Sequence, residues 1–383
     1  MVLFKSLTVN YKLMCEKCSR IIHKLFSIKP LFGGSSIGKN GIVFKPGRVT
    51  LHFFASRAKM NFMALALIRN SLAPAGYCVV FACLLLLGGG CGALQRAQMR
   101  SVAGILAGPP ESNVFARDDD PELIRDALPF ALKTFEALLA SDPRNRDLLL
   151  ATAETFVTYA NAFIHADAEK EEEVNFQRAR YLRHRATKLY LRGRNYALAG
   201  LALDYPDLKK KLREDPQQVL HTLSPRDVPL LYWASAGWAG AISTDVSNMS
   251  LMAELPLVEA MMRRALELDE DFDHGAIHEF FITYEGARSG AMGGSAERAV
   301  EHFDRVVRLT QGKKASPYVS LASSVAVRKQ DYKFFKELLH KALAVDPNCV
   351  LEWRLANILA QEKAQWLLDH SPELFLDYEE TEP

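Results

Sequence analysis

From about residue 120 to the end of the chain, apolar side chains recur every three or four positions. Leu123, Ala127, Phe130 and Ala131 share one helical face, and Thr134, Phe135, Leu138 and Leu139 carry the same stripe onward. Asp118, Asp119 and Asp120 stand just before Pro121. The spacing predicts a helix that starts at Pro121, where a missing N–H costs nothing, with Asp120 as its cap. The three carboxylates favour the positive end of that helix, a simpler reading than a calcium site. No alternating β-branched run and no Asn-Gly hairpin interrupts the pattern. The expected fold class is therefore all-α.

The helix endings resemble one another. Leu138–Pro143 reads Leu-Leu-Ala-Ser-Asp-Pro, and Ala342–Pro347 reads Ala-Leu-Ala-Val-Asp-Pro. Ala265–Asp269 matches them, Val306–Thr310 is a degenerate copy, and Gly200–Asp204 is a fifth candidate. A small residue, leucines and a closing Asp-Pro are how the second helix of a tetratricopeptide repeat ends. The small residue admits a neighbouring helix, and Asp-Pro starts the turn. Asp269 to Thr310 spans 41 positions and Thr310 to Asp346 spans 36, against a nominal period of about 34. The 62 positions from Asp142 to Asp204 leave room for an extra helix. These spacings predict a TPR-like helical array, an α-solenoid with irregular repeats and insertions, over residues 118–376. Such arrays stack into curved surfaces that bind partners.

A different pattern lies upstream. Ala73–Leu87 is continuously apolar but, at about fifteen residues, too short for a membrane span of about 20. Arg69 precedes it, and Gly88, Gly89, Gly90 and Cys91 follow. A positive start, a short apolar run and small residues before a break make a secretory signal peptide. The junction resembles the lipobox of bacterial lipoproteins, in which the cysteine thiol receives diacylglycerol. Leu87 stands four positions before Cys91, where a lipobox has leucine three before, and Gly88 takes that place. The alternative is an ordinary signal anchor that contains a cysteine. Residues 60–90 are thus read as the signal peptide and 91–117 as a lipidated cysteine with its linker. The true start then falls at Met60 or Met63. Residues 1–59 become disordered upstream sequence translated in error, with a transit peptide as the weaker option.

Charge follows the same boundary. The formal net charge of +2 hides twelve Lys and Arg against one acid, Glu16, before residue 91. From Cys91 onward 35 basic residues face 44 acidic ones, so the globular part is near −9. The tail 377–383 is itself acidic. Nothing in this balance suggests a nucleic-acid partner. Removal of the leader would leave Cys91 and Cys349, so no intramolecular disulfide is expected, and Cys349 reads as a small packed hydrophobe. Cys15 and Cys18 lack a second ligand pair for zinc.

Candidate chemistry is sparse. His274 and His278 are four apart on an expected helix, but no His-Glu-x-x-His accompanies them, so hydrogen-bonded structural histidines are expected rather than a metal site. Gly286, Gly290, Gly293 and Gly294 read as a loop before a helix over 297–309, without the Gly-Lys-Ser/Thr of a phosphate loop. The run Glu169–Glu173 reads as a solvated helix face. Arg192 and Arg194 could meet an anion at a helix end or form surface ion pairs. No nucleophile–base pair is visible, so an enzyme is not expected, and no cofactor is implied. The aromatics say more. Tyr159 and Phe163 share a face, as do Phe281 and Tyr284 with Phe280 beside them. Tyr232, Trp233 and Trp238 sit among Ala234, Ser235, Ala236, Gly237, Ala239, Gly240 and Ala241. Large rings beside small residues give either tight core packing or an apolar-walled cavity. With Tyr190, these residues are the candidate lining of an apolar channel.

At this point the chain resembles a known family. Asp118–Leu139, "DDDPELIRDALPFALKTFEALL", is similar to the opening of the TRAP transporter T-component family (TatT-like proteins). "YANAF" at 159–163, "LYLRGRNYAL" at 189–198, "LLYWASAGWAGAIS" at 230–243, "RALELDEDFDHGAIHEF" at 264–280 and "RLANILAQEKAQWLL" at 354–368 follow in order. The resemblance covers 113–376 and leaves out 1–59. It implies a periplasmic lipoprotein of TPR-like fold, anchored through lipid to the inner or outer membrane. It further implies docking of the solute-binding subunit of a TRAP transporter, a homotrimer, and a hydrophobic channel through each protomer for an apolar or amphipathic small molecule. A general TPR scaffold with no ligand conduit is the competing reading.

Overall fold

A computed structural model of the chain describes residues 113–376. The segments 1–59 and 60–90, Cys15 and Cys18, Cys91 with its linker as far as Ser112, and the tail 377–383 lie outside the described residues. Among the described residues every regular element is helical and no strand occurs.

Helix α1, Pro121–Ser141, begins as its sequence dictates: the Asp120 carboxylate accepts from the Leu123 N–H at 3.0 Å. Asn145 caps α2, Arg146–Tyr159, in the same way at 3.1 Å. That helix runs on through a π-helical turn at Ala160–His165 into α3, Ala166–Lys170. The long α4, Phe176–Leu201, is followed by two short helices, α5 (Leu208–Glu214) and α6 (Pro216–Thr222). A 3₁₀ turn at Pro225–Asp227 leads into α7, Val228–Thr244. After α8 (Met249–Met252) come α9, Leu255–Leu268, and α10, Phe272–Ala287. The remainder is α11 (Ala296–Thr310), α12 (Ser316–Leu321) with a second π-helical turn at Ala322–Ala326, and α13 (Val327–Lys329). Helices α14 (Tyr332–Leu343), α15 (Arg354–Asp369) and α16 (Ser371–Leu374) complete it. The five recurrent sequence endings fall at the ends of α1, α4, α9, α11 and α14.

Two close approaches set the packing. A Cβ at Gly240 of α7 would come within 2.4 Å of the Tyr190 ring on α4, and one at Gly193 of α4 within 2.6 Å of Val157 on α2. Glycine at these positions lets three helices lie nearly in backbone contact. Leu198, Leu201, Leu230, Leu231, Met261 and Ile277 join α4, α7, α9 and α10 in the largest core cluster. A second cluster, around Val306, Leu321, Phe335 and Leu339, joins α11, α12 and α14. A third, around Ile124, Phe163, Leu182 and Tyr190, joins α1, α2 and α4. Helix α15 then returns to the beginning of this region. The Leu355 N–H donates to the Ala116 carbonyl at 3.0 Å, Lys363 pairs with Glu169 at 2.7 Å, and Leu355 and Leu359 pack on the third cluster.

Three expectations are corrected. Asp273, His274 and Gly275 have φ of 44°, 55° and 90°, so α10 is kinked at its start. His274 therefore does not share a helical face with His278. It is exposed against Trp353, with ring centroids 5.0 Å apart, while His278 faces His302 with Nδ1 to Nδ1 at 2.8 Å. Gly286 is a helical residue of α10 packed on Ser324, not a loop residue. Cys349 is exposed rather than packed, because the turn after Asp346 carries it outward.

Candidate functional site

Helix α7 has two faces. One is fully buried through Leu230, Leu231, Ala234, Trp238 and Ala241. The other, Pro229, Tyr232, Trp233, Ala236 and Ala239, recurs every three or four residues and is half-buried throughout. Leu150 and Glu154 form a half-buried strip on α2, and Phe272, Glu279 and Phe280 form one on α10. The apolar members of all three strips pack against the same core cluster. The Tyr232 ring lies 5.3 Å from Phe272 and 5.0 Å from Trp233. Rings from α7 and α10 thus meet within reach of the charge of Glu154 on α2.

The polar atoms here are unusual. Among the described residues, the Glu154 carboxyl, the Tyr232 hydroxyl and the Trp233 indole N–H make no hydrogen bond and no ion pair. None of them is among the buried atoms closed off from solvent without a hydrogen bond, which are His278 Nε2, Arg305 Nε and Arg354 Nε, the first two lying 3.5 Å and 3.0 Å from Glu270 Oε1. Each of these three groups, on Glu154, Tyr232 and Trp233, keeps some exposure to solvent. Burial, reinforced by the negative charge of Asp273, pushes the Glu154 carboxyl up to about 7. Burial also raises the Tyr232 hydroxyl, helped by Asp273, Glu279 and Glu154. The nearby Lys314 is buried, its Nζ 5.2 Å from the Trp353 ring and 3.4 Å from the Asp273 carbonyl oxygen, to which it donates.

Of the eight aromatics singled out in the sequence, only Tyr232 and Trp233 occupy this half-buried face. The other six are buried, and each has a charged or polar partner of its own. Tyr159 accepts from Arg185 at 3.3 Å, and Arg125 lies over Phe163. Tyr190 donates to Asn161 Oδ1 at 3.0 Å. The Trp238 indole donates to Glu254 at 2.7 Å, with Arg194 over its face. Tyr284 donates to Glu259 at 2.6 Å. Phe281 stacks on His302, with Arg263 over its ring at 5.1 Å. Arg192 and Arg194 lie within α4 rather than at its end and pair with Glu136 and Glu254. No group of three or more His, Cys, Asp or Glu among the described residues is arranged to hold a metal ion. Sequence reasoning passed over Glu154, Phe272 and Asp273, and weighed Glu279 only as the acid beside His278. The signal for Glu154 was a lone acid inside the otherwise uncharged run Leu148–Tyr159.

Residues 117–375, nearly all of the described helices, match the family model of the TRAP transporter T-component. The chain belongs to that family. A protein of Treponema pallidum (strain Nichols), described only as uncharacterized, is 31% identical over 316 residues, covering 78% of this chain and 97% of its own length. Membership gives this T-component an accessory role in a transporter; the family is not one of enzymes. No helix among the described residues is long and apolar enough to cross a membrane. The start of α7 in this T-component is fixed by Asp227, fully buried, which accepts from Tyr205 at 2.7 Å, from the Ser224 hydroxyl at 2.8 Å and from Arg146 at 2.7 Å. That anchor lies five and six residues before Tyr232 and Trp233, at the start of the same helix.

Proposed function

We propose that the protein is a periplasmic, lipid-anchored accessory that docks the solute-binding subunit of a TRAP transporter. In this reading its TPR-like array passes an apolar or amphipathic solute along the face of Tyr232 and Trp233. Family membership over nearly all the described helices carries the transport role. The half-buried strips of α2, α7 and α10, with polar atoms that face no protein partner, support a solute path. Lipid on Cys91 holds the chain to the membrane, and three copies form the working unit, as the sequence resemblance implies. The deep burial of the six other aromatics favours the rival reading, a scaffold with a filled centre and no conduit.

The first test is a pull-down of the full chain, expressed in its own host with a C-terminal tag and read by mass spectrometry. Recovery of a TRAP solute-binding subunit together with a lipid-modified Cys91 as first residue supports the proposal. An unmodified N-terminus near Met1 without a transport subunit overturns both the anchor and the docking role. Trp233→Asp separates conduit from scaffold: it abolishes transfer of an apolar ligand in the first case and leaves partner capture intact in both.

A further inference from the structure

We infer that the space beside Glu154, Tyr232 and Trp233 selects an amphipathic solute with a cationic head, an alkylammonium rather than a carboxylate or a neutral lipid. The inference rests on the conduit reading and narrows it to a substrate class.

The geometry supplies three groups suited to such a head. A carboxyl without a protein partner provides the counter-charge, and a buried charge is costly unless something pairs it. Tyr232 and Trp233, in edge-to-face contact with centroids 5.0 Å apart, supply the aromatic rings that attract organic cations, tryptophan most strongly. Phe272, 5.3 Å from Tyr232, extends the apolar wall for the tail. The charged neighbours reinforce the sign. Asp273 and Glu279 on α10 add negative potential at Tyr232, and Asp273 adds it at Glu154. On α4, packed against α2 through Gly193, Arg192 and Arg194 are engaged by Glu136 and Glu254. Lys314 is occupied by the Asp273 carbonyl and the Trp353 ring. An anionic head would meet three carboxyl groups here, and a neutral one would leave Glu154 unpaired.

The test is isothermal titration calorimetry on the full chain with three probes of equal tail length: octyltrimethylammonium, 1-octanol and octanoate. The wild type is expected to bind octyltrimethylammonium at least tenfold more tightly than octanoate. Glu154→Gln is expected to lose about tenfold for the cation while binding 1-octanol as the wild type does, which also verifies that the variant folds. The probe's charge is permanent, so binding should strengthen severalfold from pH 6 to pH 8 as Glu154 ionises, and this dependence should vanish in Glu154→Gln. Equal cation affinity in wild type and Glu154→Gln, or octanoate binding as tight as the cation, overturns the inference. If 1-octanol still binds, the apolar conduit survives. Failure of all three probes removes the conduit as well.

Discussion

Asp227→Ala should be among the most damaging single changes in the molecule. The carboxylate is fully buried and accepts four hydrogen bonds: from the Ser224 N–H at 3.0 Å and hydroxyl at 2.8 Å, from Tyr205 at 2.7 Å and from Arg146 at 2.7 Å. Arg146 also donates to Asp204 at 2.9 Å and to the Gly200 carbonyl at 3.3 Å, so the cluster ties the start of α2 to the end of α4 and the start of α7. Removing one partner of a buried pair costs about 3–5 kcal/mol. Arg146 keeps Asp204, which places the expected loss near the lower bound, about 3 kcal/mol. Urea unfolding followed by helical circular dichroism reads it as a lower midpoint. Arg146→Ala should cost about 2–3 kcal/mol, and the double variant should fall short of the sum by about 1 kcal/mol or more, because both remove the same contact. Burial pushes the Asp227 carboxyl up, but hydrogen bonds from Tyr205, Ser224 and Arg146 outweigh it and hold the group below its ordinary value. Its stabilisation is thus fully present above about pH 4 and is lost as the pH falls further, so the gap between wild type and Asp227→Ala should narrow there. A loss under about 1 kcal/mol at pH 7, or strict additivity in the double variant, would refute the reasoning.

Three further outcomes are expected. Gly240→Val should lower stability by about 1–3 kcal/mol in thermal unfolding, because any Cβ there meets the Tyr190 ring at 2.4 Å. Burial, followed by the His278 neighbour, depresses the His302 imidazole to about 4. The unfolded chain then takes up a proton first, so stability should decline as the pH drops from about 6.5 toward 4, by about 2 kcal/mol; His302→Gln should flatten that decline in acid unfolding curves. Exposed Cys349 should react with a thiol reagent in the native protein, and Cys349→Ser should remove one equivalent from the native titration.

The helical fold was legible because its signals are local. Asp120 and Asn145 cap the helices that follow them, and the recurrent endings of small residues and leucines mark five helix ends. Local patterns cannot foresee a residue forced out of its helix by packing. The left-handed run at Asp273–Gly275 broke the His274–His278 face, and Gly275 there lies against Leu309 of α11, far along the chain. The aromatics show the same limit. Tyr232 and Trp238 belong to one helix with similar neighbours, and tertiary packing, with Glu254 and Arg194 as partners, makes Trp238 a core residue. Glu154 was missed because a lone acid in a helix ordinarily points to water.

The return of α15 to the first elements has a mechanical consequence. Stacked helical repeats ordinarily fray from their ends, since each unit touches only its neighbours. Here the two ends of the described region share one seam, closed by Leu355 on Ala116 and Lys363 on Glu169. Neither end can peel away alone, and a load arriving through residues just before Asn113 reaches the last long helix without first traversing the helices between.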